Sequence, residues 1–318
     1  MLKLPFYNEI EKAQNILIAG AGGGFDIFSG LPLYFGLKAE GKQVHLANLS
    51  FSFLPPPYAV KEQRLSPSLF KVTADAPLLS DYFPEKFLSL WFREQGEEIP
   101  IYCFERTGVR PLLASYQALV NHLGVDTIIL VDGGTDSLMR GDEIGLGTPQ
   151  EDSSSILAVN ELKVERKMLA CLGFGVDAFH GVCHAHFLEA VAELTRTQGY
   201  LGMFSLLREM HEVQQYIAAT KAVFNSMPRD ISIVSSSIMA AIDGNYGDYH
   251  STPRTRNSQL WINPLMPVYW CFQVAAVAER ILYRDAMMTT ENFTDVSSVI
   301  REFRNSCKNI RPRQEIPV

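Results

Sequence analysis

Positive charge is the scarcer sign in this sequence: 28 Lys and Arg face 35 Asp and Glu, for a formal charge of −7. Without a basic excess to displace phosphate counterions, a dedicated nucleic-acid binder is excluded. No CxxC pair occurs among the five scattered cysteines (Cys103, Cys171, Cys183, Cys271, Cys307). That spacing suits a reducing compartment and small buried thiols. No uncharged stretch reaches the length of a membrane span, so no membrane partner is expected. The opening MLKLPFYNEIEKAQN carries acids and a proline where a signal peptide needs an apolar run, so a cytoplasmic location is expected. Repeats and low-complexity tracts are also missing. What remains is a chain of 318 residues, 47% hydrophobic and 20% charged. It is long enough to bury a core without a disulfide or metal staple. Disordered, collagenous and disulfide-framed classes are thereby excluded.

Short apolar runs alternate with helix-like stretches. Strands are expected at Asn15–Ala21, Gln43–Phe51, Ile99–Phe104, Thr127–Asp132, Val176–His180 and Ile231–Ser235, with a weaker one at Tyr200–Phe204. Helical patterns follow at Ile27–Glu40, Arg110–Leu123, Ser153–Leu172, His184–Arg196, Phe204–Phe224 and Ile238–Ile242. Buried strands alternating with helices imply βαβ units, hence an α/β fold with a doubly wound, mainly parallel sheet in one domain over residues 1–318. Ser52–Gly96, with its Pro55–Pro57 run, breaks the alternation after strand two and is expected as an insertion or lid. A second irregular stretch, Asp243–Val268, is too long for an idle connector. The chain then closes in an expected helix pair near Tyr269–Tyr283 and Thr294–Cys307. The run from Val268 to Ala278 is apolar on all sides, so a helix there must be buried in its own domain or in a homo-oligomer, most simply a dimer.

Ligands in open α/β sheets bind beyond the carboxyl ends of the strands. After strand one stand Gly20, Ala21, Gly22, Gly23, Gly24, Phe25 and Asp26. Glycines at a strand-to-helix turn allow a ligand close to the backbone, and the helix start offers N–H groups to an anion. Gly22, Gly23, Gly24 and Asp26 are therefore candidate ligand-binding residues; the plain alternative is a tight turn with Asp26 as a cap. In dinucleotide-fingerprint register, Phe25 replaces the third glycine and Asn48 the ribose-binding acid, which disfavours a nicotinamide cofactor.

After strand four comes the densest polar run, Asp132-Gly-Gly-Thr-Asp136-Ser-Leu-Met-Arg-Gly-Asp-Glu143. Asp132 and Asp136 can hold sugar hydroxyls, bind a hard divalent cation, or divide acid and base roles. Gly133, Gly134 and Thr135 join them as ligand-binding candidates. Thr148, Pro149 and Glu151 have the pattern of a helix capping box and are assigned mainly to structure; Asp152 keeps a lesser functional reading. His180, Cys183, His184 and His186 form no recognisable zinc spacing. His184, or else His180, is the candidate proton carrier, since a free imidazole titrates near neutrality. Ser236 at the sixth strand's turn can offer a hydroxyl to phosphate or cap a helix. Without a GxSxG elbow, an α/β-hydrolase is unsupported. Arg254 and Arg256, two apart in an expected extended loop beside Asn257, point the same way and suit an anion.

GAGGGFD, VDGGTDSLMRGDE, GLGTPQEDS and YGDYHSTPRTRNSQLWINPLM together resemble an uncharacterised prokaryotic family, domain of unknown function 1152, from about Asn15 to about Tyr283. The resemblance implies a Rossmann-like single domain and no established reaction. VDGGTD is also weakly similar to the Asp-rich motif of nucleoside hydrolases, which binds calcium there from the first strand. Here it follows strand four and lacks the adjacent Asp pair.

The sequence thus leads to a cytoplasmic enzyme acting on a small, anionic, phosphorylated or ribosylated metabolite by hydrolysis or group transfer. Asp132, Asp136 and His184 are the expected catalytic residues. A non-catalytic nucleotide or metabolite sensor and a nicotinamide-dependent oxidoreductase are the alternatives.

Overall fold

The computed structural model describes residues 3–54, 63–256, 258 and 260–316, apart from the side chain of Phe179. Pro55–Pro57 and Asn257 lie outside the described residues. In chain order the elements are α1 (Pro5–Lys12), β1 (Asn15–Gly20), α2 (Asp26–Ser29), α3 (Leu31–Ala39), β2 (Gln43–Leu49), β3 (Arg64–Ser66), β4 (Leu69–Val72), α4 (Pro84–Glu94), β5 (Ile101–Phe104), α5 (Val109–Leu123), β6 (Thr127–Gly133), α6 (Pro149–Asn160), β7 (Arg166–Leu172), α7 (His184–Arg196), β8 (Tyr200–Ser205), α8 (His211–Ser226), α9 (Ile233–Ile242), β9 (Gly247–Asp248), β10 (Trp261–Ile262), β11 (Val268–Gln273), α10 (Val274–Arg280), α11 (Arg284–Met287) and α12 (Phe293–Ser306).

Among the described residues the protein is α/β, with a nine-stranded mixed sheet in the order β3-β4-β5-β2-β1-β6-β7-β11-β8. The central five, β5-β2-β1-β6-β7, are parallel. The flanking pairings β3–β4, β4–β5, β7–β11 and β11–β8 are antiparallel. The middle strands NILIAG and TIILVDG are continuous apolar runs, as strands covered on both faces must be. Leu17 and Ala19 of β1 pack with Leu112 and Tyr116 of α5 and Ile156 of α6. Ile16 and Ile18 pack with Leu37 of α3, Phe92 of α4 and Tyr216 of α8. Side chains alternate across a strand, so these two clusters cover opposite faces of the sheet. No helix among the described residues is long and apolar enough to cross a membrane.

Several expectations need correction. The helix expected over Ser153–Leu172 is α6 followed by strand β7; MLACL is an unbroken apolar run, which periodicity cannot assign to helix or strand. The strand expected at Val176–His180 is a 3₁₀ turn, bracketed by Gly175 and Gly181 at φ 89° and 86°. The strand expected at Ile231–Ser235 becomes the start of α9, because the Ser232 side chain accepts from the Ser235 amide at 3.1 Å and caps a helix. Ile27–Glu40 is divided into α2 and α3 at Gly30, ahead of Pro32, and α8 starts only at His211.

Most consequential is Val268–Ala278, which is strand β11 and then α10. Val268, Trp270 and Phe272 face one helical layer, Tyr269 and Cys271 the other. A strand buried on both faces explains the all-round apolar run, so that run carries no argument for a dimer. Within Ser52–Gly96, expected as an insertion or lid, the described residues contribute β3 and β4 to the sheet edge and α4 to one face.

Candidate functional site

The parallel order reverses between β1 and β6, whose register sets Gly20 opposite Val131. The Ala21 amide continues this pairing to Val131 O at 2.9 Å. The glycine turn after β1 and the polar run after β6 therefore emerge side by side. The N-terminal half of α6 closes over them, tied by Ser155 Oγ donating to Ala21 O at 2.7 Å.

These three segments bring together Asp26, Asp132 and Asp152, all buried, with one oxygen of each within 4.8 Å of the others. Asp26 accepts from the Gly22 amide at 2.6 Å and the Gly133 amide at 3.2 Å. Asp132 accepts from the Ser137 hydroxyl and, at 3.3 Å, the Ser137 amide. Asp152 is 2% exposed, and neither of its carboxylate oxygens has a hydrogen-bond partner. Two more buried carboxylates stand nearby but are engaged. Asp136 accepts from Thr148 N at 2.7 Å and Thr148 Oγ1 at 3.0 Å. Asp177 accepts from the amide and hydroxyl of Thr135.

Glycines make this convergence possible. A Cβ on Gly134 would lie 2.6 Å from Asp177 Oδ2, and one on Gly147 2.1 Å from Asp136 Oδ2. Burial, and after it the charge of Asp136, pushes Asp26 up to about 8. Burial first and the neighbouring carboxylates second raise Asp132, Asp152 and Asp177. Burial also raises Asp136, against the Thr148 hydrogen bonds.

Asp26 and Gly133 open onto a cavity of about 670 Å³. Gly23, Gly24, Phe51 and Tyr82 line it, together with His180, Asp230, Arg254 and Ser232–Val234 at the start of α9. The glycine turn is held from behind: Asn48 Nδ2 donates to Gly24 O at 2.8 Å and to buried Glu85 Oε1 at 2.9 Å.

Of the expected residues, Gly23, Gly24, Asp26, Gly133 and Arg254 thus share one cavity, with Gly22, Gly134, Thr135, Asp132 and Asp136 in or against the carboxylate cluster. Three others stand apart. His184 packs on Phe174 at 5.2 Å between ring centroids and faces a different cavity, with Trp261 and Arg313. Ser236 Oγ donates to Ile233 O inside α9. Arg254 and Arg256 do not point the same way: Pro253–Thr255 is a 3₁₀ turn, where side chains two apart diverge by about 120°. Arg254 lines the main cavity and donates Nη1 to Ile231 O at 2.8 Å, while Arg256 is exposed and not among its lining residues.

Asp177 was absent from the expected set, and Asp152 held only a lesser place in it. At Thr148 the expected capping box does not form, because the threonine hydroxyl is spent on Asp136. Three carboxylates and no nitrogen or sulfur make a donor set that suits a hard cation. Among the described residues the carboxylates close enough to share one cation are Asp26, Asp132 and Asp152, a set that includes Asp132 of the expected pair but not Asp136.

No curated protein matches the chain. A family model, "Protein of unknown function (DUF1152)", matches residues 92–306. The matched span runs from the last turn of α4 through α12 and contains Asp132, Asp136, Asp152 and Asp177. Since the match covers well over half of its length, the chain belongs to the DUF1152 family of proteins of unknown function.

Proposed function

We propose that this chain is an enzyme acting on a small phosphorylated or ribosylated metabolite, by hydrolysis or group transfer at a phosphoryl or glycosidic centre. The observation that carries this reading is the carboxylate cluster opening, through Asp26 and Gly133, into a cavity of about 670 Å³ where the strand order reverses. That size fits a metabolite, and the crevice at such a reversal is where open α/β sheets bind ligands. The order β5-β2-β1-β6-β7 also supports reading the fold as doubly wound and Rossmann-like.

In this reading Gly23, Gly24, Arg254 and the start of α9 hold the anionic end of the substrate. The carboxylates hold its hydroxyls, and His180 takes the proton-carrying role in place of His184. A nicotinamide cofactor gains no support, because Asn48 at the end of β2 is turned inward to Gly24 and Glu85. The test is to incubate the protein with a panel of nucleosides, nucleotides and sugar phosphates and follow each by mass spectrometry. Turnover by the wild type, lost in Asp132→Asn and Asp136→Asn with the fold intact, supports the enzyme. A compound that binds and is recovered unchanged makes the protein a sensor.

A further inference from the structure

Asp152 is costly where it stands. Its carboxylate sits in the first turn of α6, 2% exposed, with no hydrogen bond to either oxygen. A buried polar group without a partner is rare, and a buried carboxylate without one is rarer still. It is also directed at two other carboxylates, since one oxygen each of Asp26, Asp132 and Asp152 lies within 4.8 Å of the others. The surroundings hold this arrangement open. A Cβ on Gly22 would come within 2.7 Å of Asp152 Oδ1 and 2.8 Å of Asp26 Oδ2. Meanwhile the second oxygen of Asp26 is fixed by the Gly133 amide.

We infer that Asp26, Asp132 and Asp152 form a binding site for one hard divalent cation of the Mg²⁺, Mn²⁺ or Ca²⁺ type. Carboxylate oxygens opposite one another around such an ion are separated by about 4 to 5 Å, twice an oxygen–metal distance of about 2.0 to 2.5 Å. The spacing here falls inside that limit. Soft and borderline ions are disfavoured, because no thiolate or imidazole belongs to the set. Asp152 supplies the ligand oxygens that no protein group satisfies, and Asp26, which lines the cavity, directs the ion's remaining coordination positions towards it. The ion so placed would meet a substrate oxygen entering from that side. The site itself does not rest on the proposed reaction; it rests on the three side chains.

The full chain, treated with chelator and titrated by calorimetry with MgCl₂, MnCl₂ and CaCl₂, tests the inference without a substrate. One equivalent of at least one ion is expected to bind, with a matching rise in melting temperature. Asp152→Asn and Asp132→Asn each weaken that binding by about tenfold or more, while Asp285→Asn, at an almost fully exposed side chain, leaves it unchanged. Melting curves without cation verify that the variants fold. Two results overturn the site: no heat and no melting shift at about 10 mM of any of the three ions, well above the weakest protein calcium sites, or a folded Asp152→Asn that keeps wild-type affinity. Should the site bind its ion while no metabolite in the panel is turned over, the proposed reaction fails and the cation site stands.

Discussion

Gly22 lies directly beneath Asp152, so that a Cβ on the glycine would stand 2.7 Å from the carboxylate oxygen Oδ1. The same Cβ would also press on Asp26, which the Gly22 amide already holds at 2.6 Å. Neither carboxylate can retreat freely, because Asp152 is buried and both oxygens of Asp26 are held by backbone amides. Gly22→Ala is therefore expected to lower turnover by about tenfold or more through misplacement of the cluster, and to cost about 1 to 3 kcal/mol of stability. Gly36→Ala is the matched control. It lies within α3 with nothing in reach of its Cβ, and is expected to stabilise by about 0.5 to 1 kcal/mol. Urea unfolding of both variants measures the contrast.

Asp152→Asn should raise the melting temperature of the cation-free protein. Burial, and then the charges of Asp136, Asp132, Asp26 and Glu151, disfavour the ionised carboxylate in the fold. A group whose folded pKa is raised contributes stability that is complete below its unfolded value, and this is lost as pH rises. The variant's advantage over wild type should therefore widen as pH rises above 3.8, reaching about 2 °C or more, roughly 1 kcal/mol for a chain of this size. Scanning calorimetry in chelator at a series of pH values provides the check; an advantage that shrinks with rising pH would contradict the burial argument.

Removing Asn48 should be expensive. Its Nδ2 supports both the Gly24 carbonyl and Glu85, a residue with no exposed surface. Asn48→Ala takes one hydrogen bond from that carboxylate and frees the glycine turn. The expected loss is about 3 kcal/mol in chemical denaturation. Glu85→Gln should cost less, since it removes the buried charge and keeps an amide oxygen that can still accept from Asn48 Nδ2.

The two loop arginines should behave differently. Arg254 lines the cavity and Arg256 does not. With inorganic phosphate as the probe, Arg254→Ala is expected to weaken binding about tenfold, and Arg256→Ala by less than about twofold. Equal effects in calorimetry would show that the cavity wall is not the anion's contact.

Acid should release the chain after α12. Asp142 accepts from Arg140 Nε at 3.0 Å and Arg311 Nε at 2.8 Å, and Arg311 Nη2 reaches buried Glu143 at 2.7 Å. Burial works to raise the Asp142 pKa, but the two guanidinium groups outweigh it and hold it below 3.8. A depressed folded pKa gives stability that is present above the unfolded value and lost as pH falls through the folded one. Amides near Arg311 should therefore lose hydrogen-exchange protection below pH 3.8, ahead of β6, and Arg311→Ala should remove it at neutral pH.

How far the site could be read from sequence depended on what each segment resembles locally. Gly20–Asp26 and Asp132–Asp136 announce themselves, because glycines and acids directly after apolar strands have few other uses. Asp152 does not, since Thr148, Pro149 and Glu151 already account for a helix start without it. Only the third dimension shows that the Thr148 hydroxyl goes to Asp136. Asp177 is hidden by VDAFH, whose β-forming residues are overruled by the left-handed glycines on either side. The core was legible at β1, β2 and β6, where apolar runs end at glycine or polar residues. It was obscured at MLACL and VYWCF, where burial on two faces erases the alternation that distinguishes a strand.

The position of β11 has a bearing on how the chain is made. This strand, from the last fifth of the sequence, separates β7 from β8, which precede it by many residues. As the chain leaves the ribosome, β8 has no neighbour to join, and the open side of β7 presents unpaired backbone groups until Val268–Gln273 has emerged. Such an edge is a template for pairing with other chains. Fragments that stop short of Val268 should therefore be sticky rather than merely incomplete, and the nascent protein has reason to depend on a chaperone until its final strand slides into place.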